Sequence, residues 1–334
     1  MSEHPSPELR VCVVGAGAVG GMIGSRLAAS GTPTSALARG ETLEALRHNG
    51  WRLIEHDGEI SGPVMASDDA AELGPHAVVV VAVKAQSLPD LAPQLTPLIG
   101  PDTVVVPAMN GVPWWFCDGL GGPVDGMRLR TVDPDGAIAA ALPPARVIGC
   151  VVHLSASTAS PGVVLHGTKH SLIIGEPHGG TTQRLQAVAG LLRHGGFDVT
   201  LSPRIQDDVW FKLWGNLTMN PISVLTGTTM DRIIADPLVE QFISAVMAEA
   251  REIGRRIGTP VSQDIAERLE ITRSMGPMRT SMLQDADAGR SIELDALVGA
   301  VRELGRAVDV PTPFTDALLG LTRVAARARG LYPA

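Results

Sequence analysis

The sequence predicts an α/β chain in which a doubly wound, mostly parallel sheet is followed by an all-helical C-terminal half. Three observations carry that prediction. Apolar runs at 10–14, "PTSALA" (33–38), "HAVVVVAV" (76–83) and "TVVVPAM" (103–109) alternate with helical stretches, the pattern of a parallel sheet covered on both faces. The string "GAGAVG" (15–20) stands between the first run and a helical stretch reaching about Ala29. From Ile205 onward the apolar periodicity is almost purely helical, broken at "TGTT", "GTP", "SMGP", "DAG" and "DVPTP".

Taken in order, residues 1–9 ("MSEHPSPEL") are polar, contain Pro and lack the apolar run of a signal peptide, so they read as a loose tail. The parallel-sheet pattern follows. From about Arg146 the runs "RVIGCVVHLSAS", "GVVLHG" and "HSLIIGE" alternate in polarity between turn residues, which predicts antiparallel strands appended to the sheet. A helix over about 182–194 and the strand "FDVTLS" complete this half. The boundary falls near Pro203, giving a sheet domain over 10–203 and a helical domain over 204–334.

Composition narrows the function. With 334 residues, 45% hydrophobic and 19% charged, the chain is long enough for two cored domains. A net charge of -8 and no basic run argue against nucleic acid as a partner. Cys12, Cys117 and Cys150 show neither disulfide nor metal spacing, which fits a reducing cytoplasm and no metal. The longest apolar run, 77–83, is far too short to span a membrane.

"GAGAVG" fits G-x-G-x-x-G, and its setting after a strand and at a helix start is that of a dinucleotide-binding turn in a Rossmann-like domain. There the amides of Gly15, Ala16, Gly17, Ala18, Val19 and Gly20 can hold a pyrophosphate. The second strand ends at Ala38-Arg39-Gly40 rather than in Asp or Glu, which favours the 2′-phosphate of NADP over the free ribose of NAD. Glu41 lies close enough to blur that signal. Lys84 and Asn110 each follow a buried strand, where open α/β sheets bind ligands. A solvated lysine and a turn-forming Asn-Gly are their plain alternatives.

The chain uses Arg almost exclusively: of 27 Lys plus Arg, only Lys84, Lys169 and Lys212 are lysine. Lys212 is followed at steps of four by Asn216 and Asn220, two of the four asparagines in the sequence. A step of four drifts about 40° around a helix, so the three form one polar stripe. Arg would serve on a solvated face, but an ammonium can give up a proton when partly buried and a guanidinium cannot. Beside a dinucleotide-binding half, such a stripe supplies a proton donor and substrate ligands. Further on, Ser281, Gln284 and Glu293 cluster in "TSMLQDADAGRSIELDAL". Glu293 heads a helix with the apolar stripe Leu294, Leu297, Val298, Val301 and Leu304, where an acid is also favoured simply by the helix dipole.

"GAGAVG", "VKAQ", "MNG", "KLWGNLTMNP" and "SMLQD…IELD", in this order, resemble the ketopantoate reductase (2-dehydropantoate 2-reductase) family over nearly the whole chain. The resemblance implies an N-terminal Rossmann-like domain joined to an all-helical one, and NADPH-dependent reduction of ketopantoate to pantoate in pantothenate biosynthesis. It implies Lys212 as general acid, with Asn110, Asn216, Asn220 and Ser281 holding the substrate. It implies that Gly15 to Gly20, Arg39, Lys84, Asn110 and the backbone of Ser155 contact NADP(H), and that Glu293 binds the nicotinamide ribose and completes the site. Two features depart from the pattern. "NGVPWWFC" brings Trp114 and Trp115 beside Asn110, and Met230 stands where some members have Asn; a bulkier or more apolar 2-oxo acid would suit the tryptophans. A 3-hydroxy acid dehydrogenase, an imine reductase and a non-catalytic NADPH-binding protein are the competing classes. The broad apolar faces of "VRELGRAV" and 239–257 are compatible with a homodimer through the helical domain.

Overall fold

The computed structural model describes residues 9–333, so the tail expected at 1–9 lies outside the described residues except for Leu9. The chain divides into two compact units, 1–109 with 136–205, and 110–135 with 206–334. The segment 110–135, which the sequence reading leaves in the sheet domain, packs with the helices.

The first unit is built on a five-stranded parallel sheet in the order β5-β2-β1-β6-β7. Its strands are β1 (Val11–Val14), β2 (Thr34–Leu37), β5 (Met65–Ser67), β6 (His76–Val81) and β7 (Ile99–Pro107). All four residues of β1 and of β2 are buried, as expected of a sheet covered on both faces. Helices α1 (Ala18–Ala29), α2 (Gly40–Asn49) and the short α3 (Ala70–Leu73) and α4 (Leu88–Leu91) connect them. A second sheet holds β3 (Trp51–Glu55), β4 (Gly58–Gly62), β8 (Gly149–Ser160), β9 (Val163–Gly175) and β10 (Asp198–Leu201), with α5 (Ala137–Ala141) and α6 (Gln183–His194) beside them.

Two parts of this sheet differ from expectation. "GVVLHG" and "HSLIIGE" are one strand, β9, running antiparallel to β8 with register shifts. The β3–β4 hairpin around Asp57-Gly58 is an addition that the strand count from apolar runs omits. Glycines let α1 lie between the two sheets. A Cβ on Gly20 would sit 3.0 Å from Val13 and Ala82 on one side, whereas on Gly21 and Gly24 it would strike Val164 at 2.5 Å and Trp51 at 2.4 Å on the other.

The second unit consists of α7 (Ile205–Thr226), α8 (Met230–Ala235), α9 (Pro237–Ile257), α10 (Ile265–Ser274), α11 (Ser281–Asp287), α12 (Ala300–Ala307) and α13 (Pro313–Ala328). Every expected break falls between two of them. The segment 110–135 is fastened to α12 and the turn before it: Val112 N–H donates to the Ala296 carbonyl at 2.8 Å, and the Arg130 and Thr131 amides donate to the Glu303 carboxylate, each at 2.8 Å. Phe116 meets Trp210 of α7 with ring centroids 5.9 Å apart, and Gln206 donates to the Asp118 carbonyl at 3.0 Å. Trp114 and Trp115 are 4% and 1% exposed; they are core side chains, and the apolar pocket they suggest from sequence is not built from them.

Candidate active site

In the first unit the glycine turn is shaped by three different demands. Gly15 takes φ +90° and donates to the Leu37 carbonyl at 3.0 Å, and a Cβ there would lie 2.7 Å from Val83. Gly17 precedes α1 in extended conformation, and a Cβ on it would meet nothing within 4 Å. Gly20 faces the Gly15 carbonyl so closely that a Cβ would lie 2.0 Å from its oxygen. A tight turn, open space beside the backbone and close helix packing are the three glycine roles of a dinucleotide-binding turn. Ala16, Ala18 and Val19 complete it.

The same contacts bring in two of the expected ligands. Arg39 follows β2 two residues after Leu37, is exposed and stands at the N-terminus of α2. Lys84 is half-buried directly after Val83, where it opens a short turn closed by Ser87 N–H donating to its carbonyl at 2.9 Å. Ser155 sits on β8 at the register shift between Leu154 and Ala156, with its hydroxyl opposite Gly167, where a Cβ would come within 2.1 Å of Oγ. None of these contacts ties Ser155 to the turn.

In the second unit, Lys212 on α7 donates from Nζ to Asn110 Oδ1 at 2.8 Å. This bond joins residues 102 positions apart in sequence. Asn110 is aimed by the glycine that follows it: Gly111 takes φ +83°, and a Cβ there would lie 2.7 Å from the Ala296 side chain and carbonyl. The Asn-Gly turn therefore lies flat on the helix that begins after Glu293.

That helix does not begin as a regular α-helix. Asp295–Gly299 form a π-turn ahead of α12, a wider local winding often found at functional sites. All five residues of the predicted apolar stripe, Leu294, Leu297, Val298, Val301 and Leu304, are buried, and Glu293 is 7% exposed. The loop holding Glu293 is clasped by the segment after α13. Ile292 N–H donates to the Leu331 carbonyl at 3.1 Å, and Tyr332 O–H reaches both Asp295 carboxylate oxygens at 2.7 and 2.8 Å. Burial first, and the hydrogen bond to Asp295 second, push the Tyr332 phenol up to about 12.

Asn216 and Asn220 continue the stripe from Lys212, half-buried and 5% exposed respectively. Pro221 follows inside α7 and leaves the Leu217 carbonyl without its helical donor. Ser281 is the exposed first residue of α11, and the neighbouring Thr280 caps that helix by accepting from Leu283 N–H at 3.1 Å. The Thr280 hydroxyl also meets Ser223 Oγ at 2.6 Å, which fixes the start of α11 against α7 one turn beyond Asn220. Gln284 is exposed and donates to the Arg279 carbonyl at 3.2 Å.

Sequence reasoning passes over Arg268, Asp295 and Tyr332. Only Tyr332 has a signal that could have drawn notice, as the single tyrosine of the chain. Among the described residues no group of three or more His, Cys, Asp or Glu side chains could hold a metal ion, and no helix is long and apolar enough to cross a membrane. Burial raises the thiols of Cys12 and Cys117 to about 12, so neither is a nucleophile.

Comparison with known proteins decides the family. The pattern of "Ketopantoate reductase PanE/ApbA" matches residues 11–179, and that of its C-terminal domain matches residues 204–326. The chain belongs to the ketopantoate reductase family. It is 43% identical to a 2-dehydropantoate 2-reductase of Mesorhizobium japonicum over 97% of this chain and all of the relative. The crystal structure of a candidate ketopantoate reductase from Ralstonia solanacearum is 54% identical, with a TM-score of 0.94 over 98% of this chain and all of that one. A dimeric ketopantoate reductase from Staphylococcus aureus, 21% identical over 96% of this chain and all of that one, has a TM-score of 0.73 and shares the fold. The N-terminal parallel sheet with its helices and the helical C-terminal half are the architecture of this family, and the chain is an oxidoreductase.

Proposed function

We propose that the protein reduces a 2-oxo acid to the 2-hydroxy acid with NADPH, with ketopantoate as the leading substrate and pantothenate synthesis as its pathway. The observation that carries this reading is the Lys212–Asn110 hydrogen bond. It holds a rare lysine in a defined direction.

The first unit fits the cofactor. Gly17 leaves room for a pyrophosphate at the start of α1, and Arg39 is an exposed cation beyond β2, where a 2′-phosphate is recognised. Lys84 and the Ser155 backbone are assigned to the same ligand, with Asn110 and Glu293 at the nicotinamide end. The proposed domains are the cofactor half, 10–203, and the catalytic half, 204–334, the latter drawing Asn110 from the inserted segment.

Bound NADPH supplies a hydride to the 2-oxo carbon. Lys212 donates the proton that the carbonyl oxygen takes up, so the substrate gains two electrons and two hydrogens in total. Asn110 orients the ammonium, Asn216, Asn220 and Ser281 hold the substrate, and Glu293 fixes the ribose. Met230, half-buried at the start of α8 with its N–H donating to the Met278 carbonyl at 2.9 Å, favours a second reading in which the acid has a more apolar side chain.

The protein works in the cytoplasm, and a homodimer contact is assigned to the helical unit. There Leu238, Phe314, Leu321 and Val324 are 73, 46, 62 and 68% exposed, and Phe314 meets Phe242 edge-on at 6.1 Å. Replacing Leu321 and Val324 by Glu is expected to yield monomers in sedimentation. The test of function is NADPH consumption with ketopantoate, 2-oxoisovalerate, 2-oxoisocaproate and phenylpyruvate in parallel, with NADH as control. Efficient turnover of ketopantoate supports the assignment, preference for another acid moves the substrate, and no turnover of any of them overturns it.

A further inference from the structure

The helix that bears Lys212 buries Val209, Trp210, Leu213, Trp214 and Leu217. Its remaining face shows Phe211, 41% exposed, with half-buried Lys212, Gly215 and Asn216. Besides Asn110, which accepts from Lys212, a second foreign side chain lies on that face. The guanidinium of Arg268, from α10, rests on Gly215 so closely that a Cβ there would lie 2.3 Å from its Nη2, and it stacks over the Phe211 ring with Cζ 5.3 Å from the centroid. Gly215 stands between Lys212 and Asn216 in sequence, and residues three apart on a helix are surface neighbours.

Among the described residues no carboxylate pairs with this guanidinium, and its Nε is buried without a hydrogen-bond partner. Desolvation by burial lowers its pKa. A cation taken partly out of water without an anion is a cost that a bound anion can offset. The residues assigned to the substrate, Asn110, Asn216, Asn220 and Ser281, are all neutral, yet a 2-oxo acid brings a carboxylate.

Resting on the function proposed above, we infer that Arg268 binds the carboxylate of the 2-oxo acid and makes the enzyme select acids over uncharged ketones. Gly215 is part of the device. Glycine in a helix interior is normally unfavourable, and here it provides the surface on which the guanidinium lies.

The test is steady-state kinetics of the full-length wild type, R268K, R268A and G215A with 2-oxoisovalerate and its methyl ester, alongside NADPH affinity by fluorescence. Arg268→Ala should raise KM for the acid roughly 10- to 100-fold, the weight of a lost charge-assisted hydrogen bond. The ester should change far less, so the acid-to-ester preference collapses while NADPH affinity holds. Arg268→Lys should fall between. Gly215→Ala should displace the guanidinium and erode the same preference without lowering the melting temperature, which keeps the test available if R268A folds poorly. An unchanged preference in R268A and G215A, an equal loss for acid and ester, or a parallel loss of NADPH affinity each overturns the assignment. Wild-type turnover of the acids separates the two readings: with it, such results remove only Arg268; without it, both fall.

Discussion

The two halves of the molecule build their sites in opposite ways. The glycine turn is made of backbone from six consecutive residues, and what distinguishes it is the absence of side chains: open space at Gly17 and close packing at Gly15 and Gly20. The site proposed around Lys212 draws on side chains from four separate segments, whose supports include the Lys212–Asn110 hydrogen bond, a flat-lying glycine and a π-turn. Such a backbone site leaves no room for an added atom at Gly15 and Gly20 but does at Gly17. A dispersed side-chain site depends on how its supports are fastened.

The largest effect that would sharpen this comparison is at Lys212. Lys212→Ala should lower kcat by roughly 10²- to 10⁴-fold, the weight of a general acid, while NADPH binding measured by fluorescence stays near wild type. Equal losses in both would break the division of labour between the halves. Next comes the glycine turn, where two substitutions should part company. Gly20→Ala forces a Cβ against the Gly15 carbonyl and should cost about 1–3 kcal/mol of stability in denaturant unfolding, through overpacking. Gly17→Ala has room in the protein, so its stability should change by no more than about 0.5 kcal/mol, yet NADPH affinity should fall by roughly tenfold or more as the new methyl meets the pyrophosphate.

Arg39→Ala should act more narrowly, weakening NADPH by about 1.5–3 kcal/mol, the range for a charge-assisted bond, and leaving NADH nearly unaffected. Equal weakening of both would remove Arg39 from the 2′-phosphate. The smallest effect is expected at the clasp, where Tyr332→Phe should cost about 0.5–1.5 kcal/mol of stability and lower kcat more than it alters NADPH affinity. Because the phenol titrates at about 12 in the folded chain rather than near 10, the stability from this group is full below pH 10 and is lost as pH rises toward 12. The chain has one tyrosine, so tyrosinate absorbance against pH reports this directly; a midpoint near 10 would show the clasp open.

The parallel sheet was legible because β1, β6 and β7 are valine-rich runs and β2, Thr34–Leu37, though without valine, falls on the stretch 33–38 read as a strand. The β3–β4 hairpin was not, since Arg52, Glu55 and Glu59 mix charge into it and only the Asp57-Gly58 turn marks it. The break between "GVVLHG" and "HSLIIGE" looked like a turn because Thr168 and Lys169 are polar, yet both lie within the single strand β9, at the register shift where the pairing with β8 steps from His166 to His170. For the site, the Lys-Asn-Asn stripe could be read from helical spacing alone. Its supports could not. That Glu303 accepts from Arg130 and Thr131, or that Gly111 lies on Ala296, depends on contacts between residues more than 170 positions apart, and periodicity cannot tell a π-turn from an ordinary first turn.

The π-turn before α12 sets a rule about chain length rather than chemistry. A π-turn accommodates one residue more than the α-helical turn it replaces. Excising a single residue from Asp295–Gly299 would therefore let the segment close as a plain α-helical turn with its two flanks still in phase, whereas the same excision within α12 would rotate everything upstream by about 100° around the helix axis. Most point replacements in this stretch test a side chain, whereas a one-residue deletion here tests the wider winding itself.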